Sequence, residues 1–256
     1  MVIMILEKEG YIVKKVCIFV FALLFLKIGN VSASTYYTNT NGVNFTKEQY
    51  DFISKLYYDG YQDLMSEADL NKMITLDLFD KEITSKSVND GLVSKSGLRS
   101  TSVYYGKRTL TISSVCTSEC LVSLMAKWDV CPTIQSWDVI GFRTASGLVV
   151  NNVNMASVVG TGYSATYYTS DAQISSNGFG YSVKLGNAGN LKVTTSMYTE
   201  PIGIAYGSYQ HAVENVSKAT SKLYTIGIGG YGYVFHFYGN AYGKYDAAPG
   251  VYKTII

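Results

Sequence analysis

Two tryptophan–aspartate pairs in the stretch WDVCPTIQSWDV have the residue types best suited to binding a sugar. Trp128-Asp129 and Trp137-Asp138 flank a turn at Pro132. Indole rings can stack on the apolar faces of sugars, and carboxylates accept hydrogen bonds from hydroxyl groups. The alternative is that both tryptophans close the core where a loop crosses it. We favour this alternative and retain Trp128 and Trp137 as candidate ligand-binding residues.

The segment 227–246, GIGGYGYVFHFYGNAYGKYD, is rich in glycine and aromatic residues. Its first glycines fit the pattern G-x-G-x-x-G, but a dinucleotide site needs a helix directly after that loop, and strand-type alternation follows instead. We therefore interpret the glycines as a turn, and the alternation through Phe235 and Phe237 as a buried central strand of a sandwich. Tyr242 and Tyr245, beyond this strand, are candidates for an exposed stacking surface.

Catalytic motifs are weak in this sequence, which contains neither G-x-S-x-G nor H-E-x-x-H. His211 or His236 could activate a nucleophile, but nothing places Cys131 beside either of them. Several acidic residues could supply the carboxylate pair of a glycosidase, as in any domain of this size: Glu119, Asp129, Asp138, Glu200 and Glu214. We predict no catalytic residue and no cofactor. We also expect no metal site, because the two histidines lack ligand spacing.

The N-terminal sequence has the features of a secretory signal peptide. Lys14 and Lys15 precede the apolar run 16–26, and NVSAST follows, which predicts cleavage between Ala33 and Ser34. The apolar run is too short for a spanning helix, so we expect no transmembrane segment after cleavage. The acidic residues before it are unusual for a signal, and we suspect that translation starts at Val13.

Export would permit disulfides, and three cysteines remain after removal of the signal. We favour a Cys116–Cys120 disulfide across the CTSEC turn. The odd count leaves either one thiol, Cys131 in this pairing, or one intermolecular link.

The charge of the predicted mature chain argues against a nucleic-acid partner. Of the 21 basic and 19 acidic residues, residues 1–33 contain four lysines and two glutamates, which leaves 17 of each. A nucleic-acid-binding protein needs a basic face.

Three segments follow the signal. Residues 34–83 are expected to form a small helical hairpin, because Thr46 with Gln49 and Ser66 with Asp69 have the spacing of helix N-terminal capping boxes. Residues 84–103 are rich in Ser, Lys, Asn and Gly, which indicates a polar linker. From 104 to 256, many short period-two segments separated by Gly and Asn turns predict an antiparallel β-sandwich, jelly-roll-like in its strand spacing.

Three stretches carry a resemblance to other proteins: GVNFTKEQYDFISKLYYDGY, CTSECLVSLMAKWDVCPTIQSWDVIGFR and YQHAVENVSKATSKLYTI. Together they resemble secreted proteins of low-GC Gram-positive bacteria that join a TKEQY-type helical segment to a strand-rich half with a DVIG-x-R element. The resemblance implies export and the two-part layout, and it assigns no functional residue.

The sequence therefore favours an extracellular or cell-surface binding module whose partner is a cell-wall or host-surface glycan or protein. A secreted hydrolase acting on glycans is one alternative. A membrane-active β-pore protein is another, because the strands are rich in Ser, Thr and Tyr.

Overall fold

A computed structural model describes the following residues: 34–90, 108–145, 150–201, 203–227, 234–246, 248 and 250–255. The predicted signal, its cleavage at Ala33 and the suspected start at Val13 lie outside the described residues. No helix within the described residues is both long and apolar enough to cross a membrane.

The helices are short and mostly precede the sheets. In chain order they are α1 (Lys47–Leu56), α2 (Glu67–Thr75) and α3 (Lys218–Ser221), with 3-10 turns at Tyr61–Leu64, Thr169–Asp171 and Gly239–Ala241. Both predicted capping boxes are confirmed: the Thr46 hydroxyl accepts from the Gln49 amide, and the Ser66 hydroxyl accepts from the Asp69 amide. Each cap supplies an acceptor for a helix N–H that has no partner within the helix.

The fold is mainly β, and all strand pairs within its sheets are antiparallel. The strands in chain order are β1 (Tyr37–Thr38), β2 (Asn44–Phe45), β3 (Thr84–Asp90), β4 (Arg108–Cys116), β5 (Cys120–Trp128), β6 (Trp137–Thr144), β7 (Val150–Gly160), β8 (Tyr163–Tyr167), β9 (Gln173–Ser175), β10 (Gly178–Lys184), β11 (Lys192–Thr199), β12 (Gly203–Gln210), β13 (Tyr224–Ile226), β14 (Phe235–Phe237) and β15 (Val251–Ile255).

Two of the sheets form the predicted sandwich. The first sheet has the order β3-β4-β5-β11-β7-β8, and the second has the order β15-β12-β6-β10-β9. Their inner faces share one core, to which Leu124 of the first sheet and Phe142 of the second contribute. Gly207 permits close approach of the sheets, because a Cβ at this position would lie 2.4 Å from a Leu124 methyl carbon.

The helical segment covers the outer face of the first sheet, and the two share a second core. The Tyr57 hydroxyl lies 3.0 Å from Ser196 Oγ, and the Tyr58 hydroxyl lies 3.1 Å from Ser157 Oγ. Ser123 Oγ donates to the carbonyl oxygen of Leu56 at 2.8 Å. Because residues of both faces of β5 are buried, this strand is hydrophobic with little alternation.

The outer face of the second sheet is covered by the segment that contains α3, β13 and β14. Here the prediction of a central sandwich strand through Phe235 is wrong. Phe235 is buried, but among the described strands β14 pairs only with β13, in a two-stranded ribbon. The ribbon packs where Gly180 leaves space: a Cβ on Gly180 would lie 2.6 Å from the Phe235 ring.

The predicted polar linker is also wrong for its first seven residues, which form β3 at the edge of the first sheet. Small hydroxyl side chains pair across β3 and β4: Ser85 lies 2.9 Å from Ser113, and Ser87 lies 2.8 Å from Thr111, between side-chain oxygens. Such cross-strand pairs stabilise a strand that composition alone would assign to a loop.

Candidate functional site

A cluster of buried polar side chains lies between the two sheets. Asp138 begins the inner face of β6, and His211 directly follows β12. His211 Nδ1 lies 2.8 Å from Asp138 Oδ2, and the Ala212 amide donates to Asp138 Oδ1 at 3.0 Å. The Tyr209 hydroxyl also donates to Asp138 Oδ2. Since a carboxylate oxygen is the acceptor, Nδ1 of His211 carries the proton.

A second ion pair extends this cluster. Arg108 at the start of β4 lies 2.8 Å from Asp246, between Nη1 and Oδ2, and the His211 backbone amide donates to Asp246 Oδ1 at 3.0 Å. The Trp128 indole donates to the Tyr209 hydroxyl at 3.1 Å, and its ring packs against His211 with centroids 4.9 Å apart. We call these six residues the buried polar cluster: Arg108, Trp128, Asp138, Tyr209, His211 and Asp246.

The buried polar cluster is suited to holding the sheets together. No member exposes more than 9% of its surface. Burial raises the pKa of Tyr209 well above its usual value, and the negative charge of Asp138 raises it further. A histidine–aspartate pair could activate a nucleophile. In this pair, by contrast, both side chains are buried and the carboxylate accepts from three internal donors.

Of the residues predicted to bind a ligand, Trp128 is therefore a core residue, as the favoured interpretation held. Trp137 is half-buried on the outer side of the second sheet. The Lys218 ammonium lies 5.4 Å from its ring, and the Tyr167 ring meets it edge-on at 6.3 Å. Trp128 belongs to the first sheet and points into the shared core, whereas Trp137 lies on the outer side of the second sheet, so the two tryptophans do not form one surface.

Tyr242 and Tyr245 are separated in the same way. Tyr242 is 79% exposed, whereas Tyr245 is buried. The Tyr245 ring stacks on Phe237 with centroids 4.0 Å apart, and its hydroxyl donates to the Trp137 carbonyl oxygen at 3.0 Å. Tyr242 alone of this pair is available to a ligand.

The other candidate catalytic side chains are dispersed. Glu119 pairs with Lys72 at 3.1 Å, and Glu214 pairs with Lys244 at 2.8 Å. Exposed positions are occupied by Asp129, Glu200 and His236. Within the described ranges, no three His, Cys, Asp or Glu side chains are grouped closely enough to hold a metal ion.

The predicted disulfide between Cys116 and Cys120 is confirmed, and Cys131 is a half-buried free thiol. The side-chain amide of Gln135 donates to the Cys131 sulfur at 3.4 Å.

A surface feature that the sequence did not reveal is a row of two neighbouring tyrosines with a cation at each end, which runs along the second sheet and ends at the edge of the first. Arg143 Cζ lies 4.1 Å from the Tyr206 ring centroid, the Tyr206 and Tyr252 centroids are 6.0 Å apart, and Lys86 Nζ lies 3.5 Å from the Tyr252 centroid. We call these four residues the cation–tyrosine row. Arg143 is buried at one end, whereas Lys86 and Tyr252 are exposed at the other.

Strand register builds this row. Tyr206 lies directly opposite Arg143 on β6 and directly opposite Tyr252 on β15, so the three side chains share one face. Lys86 reaches the same point from β3, because β15 lies against β3 where the edges of the two sheets meet. The sequence signal for the row is weak: Tyr206 in GIAYG and Tyr252 in VYKTI occupy outward positions of segments with period-two alternation.

No protein-family model matches this chain, and the comparison with curated proteins gives no significant match. Among solved structures, the collagen-binding subdomain of the Enterococcus faecalis surface protein ACE is similar, with a TM-score of 0.26 and 10% identity over 37% of this chain and 77% of that one. The collagen-binding domain of Erysipelothrix rhusiopathiae surface protein RspB has a TM-score of 0.28 and 8% identity, over 46% of this chain and 61% of that one. A structure of Streptococcus parasanguinis Fap1 fimbriae has a TM-score of 0.25 and 16% identity, over 67% and 95%. Similarities this low assign neither a ligand nor a function.

Proposed function

We propose that this protein is an extracellular binding module whose ligand contacts the cation–tyrosine row. The observation that carries the proposal is the exposed end of that row, where Lys86 lies over a Tyr252 ring that is 45% exposed. A tyrosine ring offers a flat apolar surface and a polar tip, and it loses little conformational entropy on binding. Export, expected from the N-terminal sequence, would place this surface outside the cell.

We prefer a binding function to a hydrolase function because the candidate carboxylates lie apart from one another. Asp138 is sealed inside the buried polar cluster, and Glu119 and Glu214 are engaged by separate lysines. A glycosidase requires two carboxyl groups facing each other across an open cleft. The cation–tyrosine row, by contrast, is already ordered by its own ring contacts, so a ligand meets a surface that is largely pre-organised.

Purified chain 34–256 should be tested for saturable binding to whole Gram-positive cells, cell-wall fractions, host extracellular matrix and a glycan panel. Changing Tyr252 to Ala should weaken binding by about tenfold, the loss expected from one aromatic contact. The matched control is Tyr242→Ala, which removes an even more exposed ring outside the row.

Loss of binding on changing Tyr252 but not Tyr242 supports the proposal. Equal binding by parent and Tyr252→Ala places the ligand elsewhere and overturns the role of the row. No binding to any of these materials overturns the binding module, and dye release from liposomes or glycan cleavage would then favour the other two classes.

A further inference from the structure

We infer that the cation–tyrosine row takes an acidic glycan, whose carboxylate or sulfate group lies between Lys86 and Lys253 while a sugar ring packs on Tyr252. This inference rests on the proposed function and specifies the chemical class of the ligand.

The two lysines converge from different sheets. Lys86 lies opposite Ile112 on β4, and Lys253 lies opposite Ala205 on β12. Both partners are fully buried in the shared core. Because directly opposite residues share a face, both lysines project toward the space between the sheets, at the corner where β3 meets β15.

Two positive charges therefore lie near each other at this corner. Neither lysine forms a salt bridge with a residue in the described part of the chain. Partial burial lowers the pKa of Lys253, and the nearby charge of Lys86 lowers it further. An anion between them would relieve the repulsion and gain charge-assisted hydrogen bonds.

Edge lysines have a common structural role, since charge at a sheet edge prevents pairing with another chain. That role accounts for exposed lysines at an edge. It does not account for the Tyr252 ring that Lys86 contacts at 3.5 Å, or for the second ring 6.0 Å beyond it. Cation and flat apolar face together match a sugar that carries an acidic group.

A nucleic acid fits this surface less well. The predicted mature chain has equal numbers of acidic and basic residues, whereas binding a phosphate backbone requires many neutralised charges. Contacts from two lysines instead imply that the affinity falls only slowly with salt concentration, because about two counterions are released on binding.

The test uses chain 34–256 with four probes: hyaluronan oligosaccharides, chondroitin sulfate, neutral dextran and single-stranded DNA. We expect binding to at least one acidic glycan and none to dextran. Lys86→Gln and Lys253→Gln should each weaken it by about 10–100-fold, the range for a charge-assisted contact. Lys55→Gln, at an exposed α1 lysine, is the matched control and should leave binding unchanged.

Urea unfolding of each variant checks that the fold is intact. Lys253→Gln should be at least as stable as the parent because it removes the repulsion between the two lysines.

The inference is supported if changing Lys86 or Lys253 weakens binding and changing Lys55 does not. Two outcomes with the probes overturn it: binding to dextran as tight as to the acidic glycans, or tighter binding to single-stranded DNA. Two outcomes with the variants also overturn it: unchanged binding in both lysine variants, or self-association of those variants without a change in binding. The last outcome would mean that the lysines protect the sheet edge. If Tyr252→Ala still abolishes binding to cells in any of these cases, the inference fails and the proposed function stands. If the parent binds neither cells nor any probe, the proposed function itself fails.

Discussion

Changing Asp138 to Asn should strongly destabilise this protein, because it replaces the acceptor of three hydrogen bonds in the buried polar cluster. Asp138 Oδ1 accepts from the Ala212 amide, and Oδ2 accepts from both the Tyr209 hydroxyl and His211 Nδ1. With its NH₂ group toward the Ala212 amide, an asparagine sets a donor against a donor. In the opposite orientation the NH₂ group meets the donors of Tyr209 and His211, which must then become acceptors.

Replacing the charged acceptor of three buried hydrogen bonds should cost about 3–5 kcal/mol, since one hydrogen bond to a charged group contributes about 1.5–3 kcal/mol. With a slope of about 2–3 kcal/mol per molar urea, this cost lowers the unfolding midpoint by about 1–2.5 M. That is a large part of the roughly 5–15 kcal/mol by which domains are stable.

The assay is equilibrium urea unfolding followed by circular dichroism, with Asp129→Asn as the matched control. Asp129 is exposed, so its change should stay within about 0.5 kcal/mol. Tyr209→Phe should fall between the two, at about 1–3 kcal/mol, because it leaves the Trp128 indole without its acceptor. If Asp138→Asn unfolds at the midpoint of the Asp129 control, the buried polar cluster does not stabilise the fold as argued.

Three further outcomes follow from burial and covalent geometry. Truncating Phe235 to Ala should cost about 3–5 kcal/mol in urea unfolding, whereas Tyr242→Ala should cost under about 0.5 kcal/mol; equal midpoints would contradict the ribbon's packing. Replacing both disulfide cysteines by serine should cost about 2 kcal/mol, since the closed loop is only about five residues long, and a cost above about 4 kcal/mol would contradict that estimate. Burial raises the pKa of Tyr58 and of Tyr167 to about 12, so stability present below pH 10 should be lost as the pH rises toward 12; tyrosinate absorbance that appears without unfolding would contradict this.

Features set by neighbours in sequence were predictable. The capping boxes join residues three apart, and the disulfide joins residues four apart, so residue type and spacing suffice. The β-rich half was predictable because period-two segments and turn residues are themselves local signals.

Features set by register between distant strands were not predictable. His211 meets Asp138 across 73 positions, and the sequence analysis treated these two residues as unrelated candidates. The cation–tyrosine row requires β15 to lie beside β12 and against β3, which no local pattern specifies. The strand β3 was missed for the same reason, since its hydroxyl side chains become cross-strand partners only once β4 lies beside it.

The outer faces of both sheets carry packed segments, and this explains why a ligand-binding surface would lie at a sheet edge. The helical segment covers the outer face of the first sheet, and the segment containing α3, β13 and β14 packs on the outer face of the second. A ligand therefore has access mainly where a covering layer ends. At β15 the edge of the second sheet carries Tyr252 at 45% exposure, and the first sheet contributes Lys86 from its own edge strand. A surface assembled from both sheets depends on their relative position. The buried polar cluster contributes to that position, beside the shared hydrophobic core, because it joins residues of β4 and β5 to residues of β6 and β12. Asp138→Asn should accordingly weaken binding at the row under conditions where the variant is still folded, whereas Asp129→Asn should not.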